Sequence, residues 1–248
     1  MRLLVALLSL TAVVAAAGPY GATPEPVAYV SQNDFVIWFV EGTDTLGNPV
    51  SAETREVLHI RDAEGGLEVA VDQVDAEFSS SNVYGIDESG RVRSVDGQAV
   101  EDIATPRVDL LPRVPLDWAD LQPGATWEDR VARSGEEPFG PTAYSAVRSY
   151  EVVGEVEAFG RRALLLVSSG RVELRQGGFQ DAAQSVIWWQ EVQGPVLDSV
   201  WFDVETRRLL ANATHMDLSG TAGFEGGGES LTLPSGLRSS VRRVPGEG

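Results

Sequence analysis

The chain has no cysteine, no lysine and only two histidines among its 248 residues. Without cysteine there is no disulfide framework, no thiolate nucleophile and no cysteine-bound zinc or iron–sulfur site, so stability must come from a packed core. Without lysine every basic residue is arginine (Arg2 aside, all beyond the N-terminal run), and 19 basic residues face 37 acidic ones for a formal net charge of −18. Such a surface repels phosphate backbones and anionic lipid, which disfavours nucleic acid as a partner and electrostatic attachment to membranes. Solubility accounts for it; a salty medium that screens self-repulsion, and a codon bias that replaces Lys by Arg, fit equally. Long apolar runs are also missing beyond the N-terminus. The nearest, Ala163 to Val167, has the length of a strand, so no transmembrane segment is expected.

At the N-terminus Arg2 precedes an apolar run from Leu3 to Ala17 that is too short to span a bilayer. It ends in Ala15-Ala16-Ala17 before Gly18-Pro19, the small-residue pattern cleaved from secretory signals. Residues 1–17 are therefore expected to be a signal peptide, and the protein to be exported, periplasmic or extracellular. A lipid anchor would need a cysteine after the cleavage point.

Residues 18–34 read as an extended lead-in and 35–248 as one β domain. Period-two patterns run through it: Leu67, Val69 and Val71 share a face, as do Leu58 and Ile60, and Val172 and Leu174 between Arg171, Glu173 and Arg175. Turn clusters separate these runs, among them Gly42-Thr43-Asp44, Leu46-Gly47-Asn48-Pro49, Ser94-Val95-Asp96-Gly97, Phe159-Gly160-Arg161 and Gln176-Gly177-Gly178. Their spacing predicts an antiparallel meander of short strands, with no sustained helical period. Three prolines, Pro106, Pro112 and Pro115, break the pattern. Residues 105–121 are thus a crossing that joins two halves, 35–104 and 122–248. The expected fold is all-β and mainly antiparallel: a strongly curved sheet, half-barrel or two-sheet sandwich. The hairpins Ile86 to Val92 and Phe202 to Leu209 look alike, each with an Asp placed to bond backbone groups of its turn.

Chemistry is sparse. His59 lies opposite Leu58 and Ile60, and His215 sits in a similar strand pattern, while no Gly-x-Ser-x-Gly elbow exposes a nucleophile. No phosphate loop, calcium loop or cysteine–histidine cluster is present, so no catalytic residue, metal site or cofactor is assigned. Carboxylates are numerous enough that paired-acid hydrolysis stays open as a third reading. More informative are Phe35 to Val40, Ala163 to Val167 and Val186 to Trp189, which are apolar on both pleat faces. Something must cover both sides: a second sheet, a barrel closing on itself, a partner or an apolar ligand. Trp38, Trp188, Trp189 and Trp201 are the residues expected to line any ligand pocket.

The turn-and-strand grammar resembles uncharacterised exported bacterial proteins with curved sheets similar to the lipoprotein-carrier (LolA/LolB-like) half-barrels. It is carried by Leu121-Gln122-Pro123-Gly124-Ala125-Thr126-Trp127, by the run from Tyr150 to Gly160 and by the Phe202-Asp203 hairpin. The resemblance implies an apolar concavity for acyl chains and carries over no binding residue. A non-enzymatic exported protein that binds a hydrophobic small molecule is therefore expected; the alternative is an envelope interaction or scaffold module whose apolar sheet face meets a protein partner.

Overall fold

A computed structural model describes residues 26–64, 66–74, 79–87, 92–99, 118–137, 140–179, 186–226 and 229–246. Twelve strands form one antiparallel sheet: β1 (Val27–Glu41), β2 (Asp44–Ala63), β3 (Gly66–Val74), β4 (Ser79–Asp87), β5 (Val92–Val95), β6 (Gln98–Ala99), β7 (Thr126–Glu137), β8 (Gly140–Ala158), β9 (Arg161–Phe179), β10 (Val186–Asp203), β11 (Leu209–Gly226) and β12 (Glu229–Pro245). Their order is β6-β5-β4-β3-β2-β1-β12-β11-β10-β9-β8-β7. The first and last strands are neighbours, and the chain passes from one sheet edge to the other between β6 and β7. The Pro-rich crossing falls in that passage. Its prolines lie outside the described residues, as does most of the turn of the Ile86 to Val92 hairpin. Among the described residues the helical content is a single 3-10 turn, Trp118–Asp120, and no helix is long and apolar enough to cross a membrane.

Several strands are longer than the turn spacing predicts, up to 20 residues in β2. The reason lies in glycine. Gly47 and Gly177, read as turn residues, sit inside β2 and β9 opposite Trp38 and Trp189, and Gly236 and Gly223 lie beneath the rings of the same two tryptophans. A hydrogen in place of Cβ lets an indole lie flat on the neighbouring backbone. Two of the true hairpin turns take positive φ at both central residues, Asp96-Gly97 at 50° and 77° and Phe159-Gly160 at 52° and 71°.

Burial follows the predicted alternation. Leu58, Ile60, Val69, Val71, Val172 and Leu174 all point to the covered face. That face is covered by curvature. One apolar cluster joins Leu58, Ile60, Val69 and Val71 of β2 and β3 to Leu164 and Leu166 of β9. From β3 to β9 is six strand spacings in the sheet order, roughly 29 Å if the sheet were flat, so the sheet must curl until distant strands face each other. It remains open, since β6 and β7 do not pair. The end of the crossing stoppers this end of the concavity: Leu121 is buried in the cluster, Trp118 meets Phe202 edge-on at 6.2 Å, and Gly124 N–H donates to Val152 O at 2.8 Å. A second apolar cluster, built on Val172, Leu174, Val192, Met216, Leu218 and Leu237, lies nearer the opposite end.

Between the two clusters the concave face is polar. One register row runs Tyr150, Ser168, Asp198, Thr214, Val241, Asn33, and the next runs Val152, Leu166, Val200, Asn212, Arg243, Ser31. Arg148 Nε lies 3.1 Å from Asp198 Oδ2, and Asp198 accepts from Ser168 Oγ at 2.5 Å and Thr214 Oγ1 at 2.7 Å. Arg243 Nη2 lies 2.6 Å from Glu56 Oε2, with its guanidinium 5.6 Å from the Tyr29 ring centre. Ser31 Oγ, Asn33 Oδ1 and Asn212 Oδ1, close to Arg243 in register, are buried with no hydrogen-bond partner among the described residues. Buried water is the usual remedy for such atoms.

Candidate functional site at the open end of the concavity

With one end stoppered, the other end positions the site. There β2 continues as Asp44–Thr54 past the reach of β3, pairing among the described residues with β1 alone. Registers put Phe39 opposite Leu46 and Ser235, and Trp188 opposite Phe224 and Gly178, with Phe224 opposite Leu231. Directly paired residues share a face. Phe39 and Phe224 stand on strands separated by β12, yet their ring centres are 5.8 Å apart. Two strand spacings amount to ~9.6 Å, so the side chains converge and this end of the face is concave. Phe39, Trp188, Phe224 and Leu233 are half-buried, and Leu46 and Leu231 are 52% and 49% exposed. Together they form an apolar mouth.

One row deeper the chemistry changes. Leu233, Ala222, Gln190, Gln176 and Thr142 follow one another in register. Gln176 Nε2 donates to Gln190 Oε1 at 2.8 Å, and Gln190 Nε2 donates to Ser235 Oγ at 2.5 Å. All of these polar side chains are buried. Burying an amide is tolerable only when it is hydrogen-bonded, and this chain of bonds meets that condition. Trp188, Phe224 and Leu231 thus form an apolar outermost row over buried amides and hydroxyls, with Phe39 and Leu46 beside Ser235 and the exposed Glu41 and Asp44 next to them at the hairpin.

The four tryptophans singled out in the sequence do not meet. Trp188 lines the mouth. Trp38 and Trp189 lie on the outer face over Gly236 and Gly223, and Trp201, also outward, meets Phe159 edge-on at 6.0 Å. Sequence reasoning missed Phe39, Phe224, Leu231 and Leu233, although Phe39 belongs to a run already noted as apolar on both faces. The alternation Leu231-Thr232-Leu233 was a further signal.

A second depression, about 700 Å³, opens mostly on outer-face positions and is lined by Ser145, Glu173, Arg175, Glu191, Gln193 and Thr221, among others. It is polar, and Arg175 and Glu191 pair within it at 3.0 Å. His59 sits 3.8 Å from Asp72 on the outer face, and His215 is exposed. Among the described residues no three His, Asp or Glu side chains converge to hold a metal ion.

No protein-family model matches the chain, and no curated protein matches it. Solved structures similar to it include two that cover most of the chain. DynF from the dynemicin biosynthesis pathway of Micromonospora chersina aligns at 9% identity and a TM-score of 0.24, covering 89% of this chain and 82% of that one. A DUF1329 family protein from Desulfovibrio piger aligns at 12% identity and a TM-score of 0.14, covering 88% and 86%. Neither likeness bears on the site.

Proposed function

We propose that this is an exported, non-catalytic binding protein that holds an apolar ligand at the mouth of its concave face. The observation that carries the reading is the convergence of Phe39, Trp188 and Phe224 at the open end of a sheet whose other end is stoppered. A half-exposed aromatic cluster costs solvation in the free protein, and a ligand that covers it recovers ~25 cal/mol for each Å² of apolar surface removed from water. The lipoprotein-carrier resemblance of the sequence points the same way. An apolar dye such as N-phenylnaphthylamine is expected to bind the processed protein at one saturable site and to lose affinity in Phe224→Ala and Trp188→Ala; the same affinity in both variants would refute the assignment.

The second reading, a protein partner, is favoured by one specific feature. The Asp44–Thr54 edge of β2 leaves its far side unpaired among the described residues, beside the mouth. A partner strand could add there, although Gly47 and Pro49 make it a poor template. A stable complex or homodimer in light scattering, with no dye binding, would support this reading over the first.

A further inference from the structure

Resting on the reading of the mouth as a ligand site, we infer that its ligand is an amphiphile with an uncharged, hydrogen-bonding head, such as a monoacylglycerol or fatty alcohol, rather than a fatty-acid anion or an ionic lipid. Two independent features set the head's charge. Among the described residues the buried floor beneath Trp188 and Phe224 carries no ionisable side chain: its polar members, Gln190, Gln176, Thr142 and Ser235, are amide and hydroxyl, and the charged residues in phase with the mouth, Glu41 and Asp44, stay exposed at their hairpin. A charged head brought in there would shed water without gaining a counter-charge, which is strongly unfavourable. The exposed charges on the strand ends that frame the mouth, Glu41 and Asp44 at one hairpin and Glu225 on β11, are acidic, and they belong to a chain of net charge −18. They repel an anion before it enters.

The floor supplies what a neutral head needs. Gln190 both accepts from Gln176 and donates to Ser235, and amides and hydroxyls can each give and take further bonds with a hydroxyl head. Reaching them requires Trp188 and Phe224 to part. Both are half-buried rather than locked in the core, and a rotamer change at each is the movement the head's entry calls for.

The test is a series with one 12-carbon chain and three heads: monolauroylglycerol, dodecanoate and dodecyltrimethylammonium, each below its micelle concentration. Each competes against N-phenylnaphthylamine on the whole processed protein. The glyceride is expected to displace the dye at a concentration at least about tenfold lower than dodecanoate, and lower than the cation. Equal potency of dodecanoate, or the cation as best competitor, would overturn the inference while leaving the ligand site standing. Failure of the dye itself to bind would instead sink the reading of the mouth. Gln190→Met, checked for folding by circular dichroism, is expected to bind dye normally and to lose the glyceride's advantage. Retention of the full advantage would contradict the role given to the floor, and should the variant not fold, the wild-type series still decides.

Discussion

Arg243 and Glu56 face each other at 2.6 Å with only 2% and 4% of their side chains exposed. Replacing Arg243 by Met keeps much of the side-chain volume but strands the Glu56 carboxylate, which then keeps the Gln73 amide at 3.3 Å. Breaking a buried pair this way costs about 3–5 kcal/mol. Arg148→Met strands Asp198 likewise, but the hydroxyls of Ser168 and Thr214 remain on that carboxylate at 2.5 and 2.7 Å. Hydrogen bonds to a charged group are worth roughly 1.5–3 kcal/mol each, so the second variant should lose less, about 2–3 kcal/mol. Removing both charges together, in Arg243→Met with Glu56→Leu, should return stability to within about 1 kcal/mol of wild type, because neither partner is left unpaired. Equilibrium unfolding in guanidinium chloride reads all four proteins, with an unchanged m-value required for the comparison. A loss below ~1 kcal/mol for Arg243→Met, or a double variant no more stable than that single one, would refute the reasoning.

Gly236→Val places a Cβ against the Trp38 ring and the Leu218 carbonyl and should cost about 1–3 kcal/mol, some 2–4 °C of Tm per kcal/mol; Gly47→Ala, which meets Trp38 and Val36 at 3.2 Å, should cost less, and the reverse ranking in thermal melts would count against the glycine–indole packing. Asp203 binds the turn through Glu205 N–H at 2.9 Å and Thr206 N–H at 2.8 Å, and Arg161 through Nη1 at 2.9 Å. Burial alone would raise its pKa, but these hydrogen bonds outweigh it and hold the carboxyl below its usual range. Its stabilisation is therefore present above about pH 4 and lost as pH falls through the folded value, so Asp203→Ala should cost ~1–2 kcal/mol at pH 7 and progressively less in acid; a deficit independent of pH would contradict this. Burial pushes the Tyr29 and Tyr150 phenols well above the usual tyrosine range, the Asp198 charge adding to it for Tyr150. The stability tied to them is whole below about pH 10 and is lost above it. Alkaline absorbance titration should therefore show Tyr29 and Tyr150 among the tyrosines that ionise only as the β signal in circular dichroism is lost.

The fold class was legible because alternation is a local property: Leu67, Val69 and Val71 declare their shared face whatever strand lies beside them. The Asp203 turn was legible for the same reason, since its bonds span two and three residues. What failed to show was anything that depends on cross-strand identity. Leu46-Gly47-Asn48-Pro49 carries a turn composition, and only the neighbour, Trp38, reveals why glycine is there. Trp38 and Trp189 looked like pocket residues because an outward indole over glycine and an inward indole have the same local sequence. The buried ion pairs did leave a trace. Arg148 falls in phase with Tyr144, Ala146, Tyr150 and Val152, Arg243 with Leu237 and Val241, and Glu56 with Leu58 and Ile60, all on the covered face. A charge at an apolar phase is the sign of a buried partner. Of the mouth only Trp188, the doubly apolar run that holds Phe39 and the Leu231-Thr232-Leu233 alternation left a local trace; that these meet could not be read, because the members come from five strands whose neighbours are set by the β1–β12 pairing.

The claim that the concave mouth holds the ligand is tested most directly by fluorescence quenching with a monoacylglycerol brominated along its chain. Trp188 is the one tryptophan of the four named that faces the mouth, so quenching should be saturable in the wild-type protein and largely abolished in Trp188→Phe. Equal quenching in Trp188→Phe, or quenching carried instead by Trp38, Trp189 or Trp201 on the outer face, would contradict it.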